Sequence, residues 1–479
     1  MDKVIMVKQN AEVKGKTSSV KREAKEDRTE LKLLNTQSGK KELFKPRNGR
    51  NVKFFVCGPT VYDYSHIGHA KTYIQFDMIA KYMRAIGYDV FYLQNITDLD
   101  DKIIQRAKER KIDPKQLAEE FEAEYYKDLK TLGVNSITKF ARATDFIKEM
   151  INQVKILMER GYTYENEDGV YFDLSKFPEY GKLSGRTALE AEDAVTRIDE
   201  SVKKRNKGDF CLWKLSKPGE PKWPSPFGEG RPGWHIEDTA ITETVFGPQY
   251  DVHGGARDLI FPHHEAEIAQ MEAASGKKPF VKYWLHTGFL TINGQKMSKS
   301  LGNFITIRDA LKKWNAKTLR YFFISTHYRS PIDFSEENLV KAQNTLDRLN
   351  EFMEKTESGI DNFDDKLIET TRNDFLAAMN DDLDTPRAFA VIFNFIREVN
   401  KTGGGKKAHN LLRELDAAFN ILSAIEKKEI PKEIEELVKE RQLARERKDW
   451  KRADEIRKKI NEMGYAVEDE EGGARIRTI

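Results

Sequence analysis

A strand, a helix and a second strand follow one another within residues 51–97, and this order constrains the fold more than any other feature. The run VKFFV is apolar and rich in strand-forming residues, and a Gly-Pro pair ends it soon afterwards. AKTYIQFDMIAKYMRAIG then carries apolar residues at helical spacing, and the second apolar run, DVFYLQNIT, follows. Because this order forms a βαβ unit, the sequence predicts an α/β fold with a parallel sheet.

The segment SHIGH lies between the first predicted strand and the predicted helix, with His66 and His69 three residues apart. Ligands of parallel sheets bind at the carboxyl ends of the strands. Free backbone N–H groups at the start of a helix favour phosphate. The position therefore predicts a phosphate site, although a turn with two chance histidines would give the same short pattern.

Composition excludes some classes of protein and leaves others open. Of 479 residues 39% are hydrophobic, which is enough for several cores and suggests two to four domains. The net charge of +3 argues neither for nor against a nucleic-acid partner. No apolar run approaches the roughly 20 residues that span a bilayer, so we expect no membrane segment. Cys57 and Cys211 are the only cysteines, which excludes a disulfide scaffold and favours the reducing cytoplasm.

A second segment, GQKMSKSLGN, carries Lys296 and Lys299 between two glycines. The glycines allow a mobile loop, and lysine is a compact charge that suits phosphate. The segment alone would also fit a solvated basic loop. Together with SHIGH it predicts histidine and lysine donors that stabilise negative charge as it moves onto pyrophosphate.

HIGH and KMSKS on a parallel α/β domain resemble the signature of class I aminoacyl-tRNA synthetases. The stretches CGPTVYDYSHIGHAKT, NITDLDDKII, GWHIED and DVHGGARDLIFPHHEAEIAQ are similar to the cysteinyl-tRNA synthetase family in particular, and the resemblance covers about residues 42–479. It implies ATP-dependent activation of L-cysteine to cysteinyl-adenylate, with Mg²⁺ accompanying ATP, and transfer to tRNA(Cys). We expect a monomer.

The resemblance implies a Rossmann-like parallel-sheet catalytic domain with an inserted connective domain, then a C-terminal helical domain and a small mixed terminal domain. Composition adds a disordered extension at the N-terminus, because the segment is polar and has little periodicity. The expected parts are the extension at 1–40, the catalytic domain at 41–330 with its insertion at about 115–205, a stem-contact region at 331–370, a helical tRNA-binding bundle at 371–430 and an anticodon-binding domain at 431–479.

A zinc site is predicted from residue types and from the resemblance. His263 and Glu267 follow Pro262 at positions i and i+4, so on a helix they share one face. Cys57 follows the first strand, and thiolate, imidazole and carboxylate all bind zinc. By themselves His263 and Glu267 also fit an ordinary polar helix start. The resemblance implies a Zn²⁺ ion that binds the substrate thiol and rejects serine, whose hydroxyl stays protonated.

One predicted ligand departs from the family pattern. The family usually reads GWHIEC, whereas GWHIED here ends in Asp238. A carboxylate binds zinc at a similar distance, so we predict Asp238 as the fourth ligand. The alternative is that Asp238 lies outside the ligand shell, or that the metal is held more weakly.

The resemblance assigns further roles to matching positions. The expected catalytic residues are His66, His69, Lys296 and Lys299. The expected ATP-binding residues are Gly68, Gly254, Gly255, Asp258 and Lys299. The cysteine pocket is expected to contain Thr97 and Trp234.

The C-terminal segment LARERKDWKRADEIRKKINEMG interleaves basic residues with a single tryptophan. Such a run is usually a solvated helix face, but a basic patch with an aromatic side chain also holds unstacked RNA bases. The resemblance makes four residues candidates for contacts to the GCA anticodon: Arg445, Trp450, Asp454 and Asp469. The match is incomplete, because Ile476 replaces a near-terminal tryptophan of the family.

Two other functions remain open at this point. One is a tRNA-independent cysteine ligase of thiol biosynthesis, which would lack the anticodon-binding C-terminus. The other is a non-catalytic tRNA-binding paralogue, which Asp238 would favour and the intact HIGH and KMSKS segments disfavour.

Overall fold

The computed structural model describes residues 30–186, 203–298, 301–422, 431–470 and 473–478. The chain divides into two compact units, Met1–Leu422 and Ser423–Ile479. The strands of the first unit are β1 (Lys32–Asn35), β2 (Lys40–Leu43), β3 (Asn51–Val56), β4 (Asp89–Ile96), β5 (Lys139–Arg142), β6 (Thr163–Asn166), β7 (Gly169–Phe172), β8 (Phe210–Leu215), β9 (Gly230–Pro232), β10 (Tyr250–Ala256), β11 (Val281–Thr287), β12 (Leu290–Ile292), β13 (Gln295–Lys296) and β14 (Ile332–Phe334).

The helices of the first unit are α1 (Ile67–Ala85), α2 (Asp101–Arg110), α3 (Pro114–Thr131), α4 (Ile147–Glu159), α5 (Ile236–Phe246), α6 (Glu265–Ser275), α7 (Ile307–Lys313), α8 (Ala316–Ile324), α9 (Glu336–Glu357), α10 (Lys366–Met379), α11 (Thr385–Thr402) and α12 (Lys406–Phe419). The second unit contains α13 (Lys432–Glu446), α14 (Trp450–Glu462), β15 (Tyr465–Glu470) and β16 (Gly473–Thr478). None of the described helices is both long enough and apolar enough to cross a bilayer.

Five parallel strands form the central sheet in the order β11, β10, β3, β4 and β5. β3, α1 and β4 are the βαβ unit predicted from the sequence, and the α/β fold is confirmed. The apolar positions of α1 that set the helical spacing, Ile74, Met78, Ile79 and Tyr82, are buried. The chain turns at Gly87, whose φ is +95°, and enters β4. The carboxyl ends of these strands therefore face one common edge.

The predicted boundaries of the insertion, residues 115 and 205, do not match the structure at either end. β5 lies inside residues 115–205 but pairs in parallel with β4 and belongs to the central sheet. The antiparallel sheet of β6, β7, β8 and β9 is the separate part, and it extends to Pro232. The sequence did not reveal β5, because a strand of four residues, KFAR, shows no period of its own between charged helices.

Residues 30–40 do not follow the prediction of a disordered extension. They contain β1, which pairs with β2 in an antiparallel hairpin. Leu31 and Leu33 are buried and Lys32 between them is exposed, which is the alternation of a strand with one buried face. Composition averaged over forty mostly polar residues concealed so short a strand. Residues 1–29 lie outside the described part of the chain.

The hairpin of β1 and β2 lies against β11, an edge strand of the central sheet. The side chain of Asn35 accepts the backbone N–H of Trp284 at 3.1 Å and donates to the carbonyl of Lys282 at 3.0 Å. The backbone N–H of Thr36 donates to the carbonyl of Trp284 at 2.9 Å. The Asn35 side chain thus makes the two hydrogen bonds to β11 that a neighbouring strand would make with its backbone. Together with the backbone bond of Thr36, these bonds hold Thr36 beside the end of β11.

The helical part that follows the sheet belongs to the same compact unit as the sheet, since this unit extends to Leu422. Helix α12 packs against α1. In the second unit, α13 and α14 enclose a small core with the hairpin of β15 and β16. This core contains Ile434, Leu437, Val438, Ile456, Ile460 and Val467.

Candidate active site

The carboxyl edge of the central sheet gathers thiol, imidazole and carboxylate side chains in a buried group. Cys57 directly follows β3, and Asp238 lies in the first turn of α5. His263 precedes α6, and Glu267 lies in its first turn. All four are buried, and their donor atoms lie within 4.8 Å of one another. The four predicted metal ligands are therefore in one place, and we call them the four-residue cluster.

The atoms of the four-residue cluster approach one another at hydrogen-bond distance. Sγ of Cys57 lies 3.3 Å from Oδ2 of Asp238. Nε2 of His263 lies 3.1 Å from the same Asp238 oxygen and 3.0 Å from Oε1 of Glu267. The second contact is the i, i+4 pair that the spacing predicted, because both side chains leave one face of the chain as it enters α6.

The buried charges of this cluster suit a cation. Among the described residues, no hydrogen-bond partner serves Oδ1 of Asp238. The carboxylate of Glu267 lies between two rings, with Oε1 3.0 Å from Nε2 of His263 and Oε2 3.4 Å from Nδ1 of His253. Burial raises the pKa of Glu267 well above its usual range, and the Asp238 charge raises it further. Burial, followed by Asp238 and Glu267, raises the pKa of the Cys57 thiol in the same way. A metal ion would relieve this repulsion, and one sulfur, one nitrogen and two oxygen donors form a set that zinc accepts.

Two histidines that lie beside the cluster, His253 and His264, were not predicted from the sequence. Nε2 of His264 lies 3.1 Å from Sγ of Cys57, and Nε2 of His253 lies 3.3 Å from it. With Cys57 and Glu267 these two rings form a second, overlapping group that could hold a metal ion. Burial lowers the pKa of both rings well below the usual value, so both are neutral.

A signal for these histidines was present in the sequence. The chain has only nine histidines, and five of them fall within residues 235–286. Such crowding in a histidine-poor chain indicates a common site, but the sequence cannot show that separate strands and helices bring the rings together.

His66 and His69 cap the helix that they open. Nδ1 of His66 accepts the backbone N–H of His69 at 3.3 Å, and Nδ1 of His69 accepts the backbone N–H of His66 at 3.4 Å. The rings stack with their centroids 3.7 Å apart. This reciprocal cap joins the residue before the helix to the third residue within it, which explains the spacing of three.

The cap also sets where the ring protons lie. Because both Nδ1 atoms accept hydrogen bonds, the proton of each neutral ring lies on Nε2. Burial, and secondarily the neighbouring His66, hold the pKa of His69 well below its usual value. The capped pair thus presents Nε2–H donors at a helix N-terminus, where backbone N–H groups also favour an anion.

The segment with the two lysines begins beside this cap. A Cβ on Gly68 would lie 2.9 Å from the His66 ring and 3.6 Å from Cε of Met297, so Met297 lies against the opening of α1. The backbone N–H of Ile67 donates to the carbonyl of Ile305 at 3.1 Å. Lys296 ends β13 and is exposed. Lys299 lies outside the described residues.

The two residues predicted for the cysteine pocket flank the four-residue cluster. Trp234 stacks on the His263 ring, with centroids 4.1 Å apart and an angle of 13° between the planes. Thr97 directly follows β4, and its hydroxyl donates to Oε2 of Glu237 at 2.7 Å. Glu237 precedes Asp238 in α5, so Thr97 is fixed next to the cluster through this buried carboxyl group.

Gly254 and Gly255 lack a Cβ, and this lets the rings of Phe76 and His264 pack directly against their backbone. A Cβ on Gly254 would lie 2.4 Å from the Phe76 ring, and one on Gly255 would lie 2.7 Å from the His264 ring. The resemblance did not predict this packing, and contact of the two glycines with ATP stays a prediction. Asp258, also expected near ATP, is exposed in the short turn Arg257–Leu259.

The candidates for RNA contacts lie in the second unit. Trp450 begins α14 and is 58% exposed, and the guanidinium of Arg445 lies 6.0 Å from its ring centroid. Asp454 is exposed on the same helix. The side chain of Asp469 lies outside the described residues. An exposed aromatic ring beside an arginine is an arrangement on which an unstacked base can lie.

Comparisons with known proteins agree over nearly the whole chain. The family model of the tRNA synthetases class I (C) catalytic domain matches residues 43–344. A DALR domain matches residues 374–425, and a cysteinyl-tRNA ligase anticodon binding domain matches residues 427–477.

Curated relatives include a cysteine–tRNA ligase of Coxiella burnetii, which is 45% identical over 92% of this chain and 99% of that protein. Another, from Thermococcus onnurineus, is 43% identical over 92% of this chain and 97% of that protein. Among solved structures, a Mycobacterium tuberculosis methionyl-tRNA synthetase in complex with methionyl-adenylate has a TM-score of 0.55 and 19% identity, and the match covers 73% of this chain and 83% of that one. At this identity the structural likeness shows the fold alone.

Two variants at His66 separate its helix cap from its ring donor. Asn is a good N-cap, so His66→Asn should keep the thermal stability of the protein, whereas His66→Ala should lose about 1 kcal/mol of unfolding free energy. Both variants lose the Nε2–H donor and should bind ATP phosphates less well. Thermal unfolding and ATP affinity measure the two effects. Equal stability of the Ala variant and the wild type would contradict the capping role.

Proposed function

This chain belongs to the cysteine–tRNA ligase family of class I aminoacyl-tRNA synthetases, and we propose on that premise that it activates L-cysteine with ATP and transfers it to tRNA(Cys). The observation that carries the proposal is the four-residue cluster, because a buried thiol, imidazole and two carboxylates lie beside Trp234 at the carboxyl edge of the sheet. The capped histidine pair begins α1 at the same edge.

In the first step the carboxylate of cysteine attacks the α-phosphate of ATP in line, and pyrophosphate leaves. No covalent enzyme intermediate is required, so positioning and electrostatics supply the catalysis. The Nε2–H groups of His66 and His69 donate to the phosphates, and Lys296 with Lys299 would neutralise the charge that develops on pyrophosphate. Gly68, Gly254, Gly255 and Asp258 are proposed to border the nucleotide, which would carry Mg²⁺. In the second step a hydroxyl of the terminal ribose of the tRNA attacks the cysteinyl carbonyl, and AMP leaves.

The four-residue cluster is proposed to hold one Zn²⁺ ion per chain. When bound, this ion would take the deprotonated thiol of cysteine as a further ligand, which the protonated hydroxyl of serine does not match. The protein contributes the shape of the site. Trp234 keeps His263 in place by stacking and shields the site from water, and Thr97 borders the pocket through its bond to Glu237.

Asp238 is proposed as a direct zinc ligand in place of the usual cysteine. Its Oδ2 lies near both Cys57 and His263, and its Oδ1 is one of the buried oxygens without a hydrogen-bond partner in the described part of the chain. A buried carboxylate with one oxygen next to two other proposed ligands and the other oxygen without a hydrogen-bond partner is expected where a cation binds.

The second unit is proposed to bind the anticodon. Trp450 and Arg445 would stack on an unpaired base, and Asp454 and Asp469 would accept hydrogen bonds from base edges. The match of residues 427–477 to an anticodon binding domain supports this assignment. It also disfavours the ligase of thiol biosynthesis, while the intact HIGH and KMSKS segments disfavour a non-catalytic paralogue. We further propose a monomer in the cytoplasm, where a reducing environment keeps Cys57 free to bind metal.

Cysteine-dependent ATP–pyrophosphate exchange and the charging of tRNA together test this function. The full chain should catalyse exchange only with cysteine present, and it should charge a transcript that carries the GCA anticodon. His66→Asn should lose about 100-fold in exchange, as expected when one hydrogen-bond donor to the transition state is removed. Exchange without charging would instead indicate a tRNA-independent ligase, and tRNA binding without exchange would indicate a non-catalytic paralogue.

Zinc titration against one chelator tests the role of Asp238. If Asp238 is a ligand, Asp238→Ala should lower zinc affinity by more than the roughly 10–100-fold typical of residues outside the ligand shell. Asp238→Cys should hold zinc at least as tightly as the wild type, because thiolate is a softer ligand. Thr244→Ala, an exposed change on the same helix, is the control. Equal affinity in all variants would contradict direct ligation.

A further inference from the structure

The N-terminal hairpin reaches the four-residue cluster through a chain of hydrogen bonds. Oγ1 of Thr36 lies 2.8 Å from Nδ1 of His286. Nε2 of His286 lies 2.8 Å from Nδ1 of His264, and Nε2 of His264 lies 3.1 Å from Sγ of Cys57. Each ring uses both of its nitrogens, one towards the hairpin and one towards Cys57. Thr36 lies upstream of residues 43–344, which match the catalytic-domain family.

The residues that make these hydrogen bonds, Thr36, His286 and His264, are held in place by their surroundings. His286 and His264 are buried, and Thr36 is half-buried next to β11. The backbone of Thr36 is fixed by its bond to the carbonyl of Trp284. The His264 ring lies against the backbone of Gly255, where any Cβ would clash, and 5.2 Å from the ring of Trp284. The rings therefore have little freedom to choose other partners.

When Cys57 binds a metal ion as a thiolate, it fixes the direction of every hydrogen bond from Thr36 to the sulfur. A thiolate only accepts hydrogen bonds, so His264 must carry its proton on Nε2 and accept at Nδ1. His286 must then donate from its own Nε2 and accept at Nδ1. The hydroxyl of Thr36, which can rotate to donate or accept, supplies the proton at the start.

We infer that Thr36, acting through His286 and His264, is a positioning residue for the metal-bound Cys57 thiolate. The inference rests on the proposed metal centre. The hydroxyl locks two tautomers, and these aim one N–H at the sulfur, which sets how much charge the thiolate gives the metal. Partners outside the ligand shell act on metals in this way. With its Nε2 protonated and aimed at sulfur, His264 is a hydrogen-bond donor and not a ligand.

Two substitutions remove this link, and two controls isolate it. Thr36→Val keeps the shape of the side chain and deletes the hydroxyl, and Thr36→Ser restores the hydroxyl. His286→Phe removes both ring nitrogens and keeps a ring in the same space. Ser38→Ala removes another hydroxyl of the same hairpin. This hydroxyl donates to Glu42 and takes no part in the series of hydrogen bonds from Thr36 to Cys57.

The probes are Zn²⁺ titrated under a chelator and the thiolate-to-metal absorption of the Co²⁺-loaded protein. Thr36→Val and His286→Phe should each lower zinc affinity about 10-fold, at the lower end of the range for residues outside the ligand shell. Both should shift the Co²⁺ absorption band to lower energy, because a thiolate without its donor gives up charge more readily. Thr36→Ser and Ser38→Ala should match the wild type in both measurements.

The outcomes separate this inference from the proposed metal centre. A wild-type protein that binds neither metal overturns both. Normal metal binding with an unchanged band and affinity in Thr36→Val and His286→Phe overturns only the role of Thr36. The same holds if Thr36→Ser loses as much affinity as Thr36→Val, because the hydroxyl would then not be the cause. If Thr36→Val does not fold, the band and affinity of His286→Phe decide.

Discussion

Two carboxylates and a thiol lie where water cannot screen them, in the cluster of Cys57, Asp238, His263 and Glu267. Two like charges 4 Å apart repel by about 4 kcal/mol even at an effective dielectric constant of 20. Protonation would relieve this repulsion, and so would a cation. The buried Oδ1 of Asp238 favours the cation, since it has no hydrogen-bond partner among the described residues and a proton placed on it would itself need an acceptor. The proposed selection of a thiol substrate depends on this electrostatic imbalance.

The parallel sheet brings this cluster and the capped pair of His66 and His69 to one edge. Cys57 directly follows β3, and the capped pair of His66 and His69 then opens α1, so one βαβ unit carries a proposed metal ligand and the proposed phosphate donors. The same hydrogen bonds that start α1 set the tautomers of the two histidines. Helix formation and the tautomers of the two rings therefore have a common cause, which accounts for the spacing of three between these histidines.

Local patterns predicted the parts of the fold and the site that local geometry determines. The βαβ unit and the contact between His263 and Glu267 follow from strand and helix periods and are present in the structure. The meeting of Cys57 and Asp238 came from the resemblance to a family and not from spacing. β5 and β1 were missed because strands of four residues carry almost no periodic signal.

Contacts between distant segments were beyond the sequence. His253, His264 and His286 lie on different strands and turns, and only the folded sheet brings them to Cys57. The hairpin contact of Thr36 has the same character, since 250 positions separate it from His286 in the chain. For Gly255 the resemblance predicted contact with ATP. The structure shows a different reason for a glycine at this position, because a Cβ there would clash with the His264 ring.

The central claim is that the buried cluster selects cysteine through a bound metal ion. It is tested most directly by measuring kcat/KM for ATP–pyrophosphate exchange with cysteine and with serine, on zinc-loaded protein and on protein stripped of metal but still folded. We predict that stripping lowers the value for cysteine by at least about tenfold, equivalent to 1.4 kcal/mol, and leaves the low value for serine unchanged, and that added zinc restores the preference. A stripped, folded enzyme that still prefers cysteine over serine to the same degree would contradict the claim.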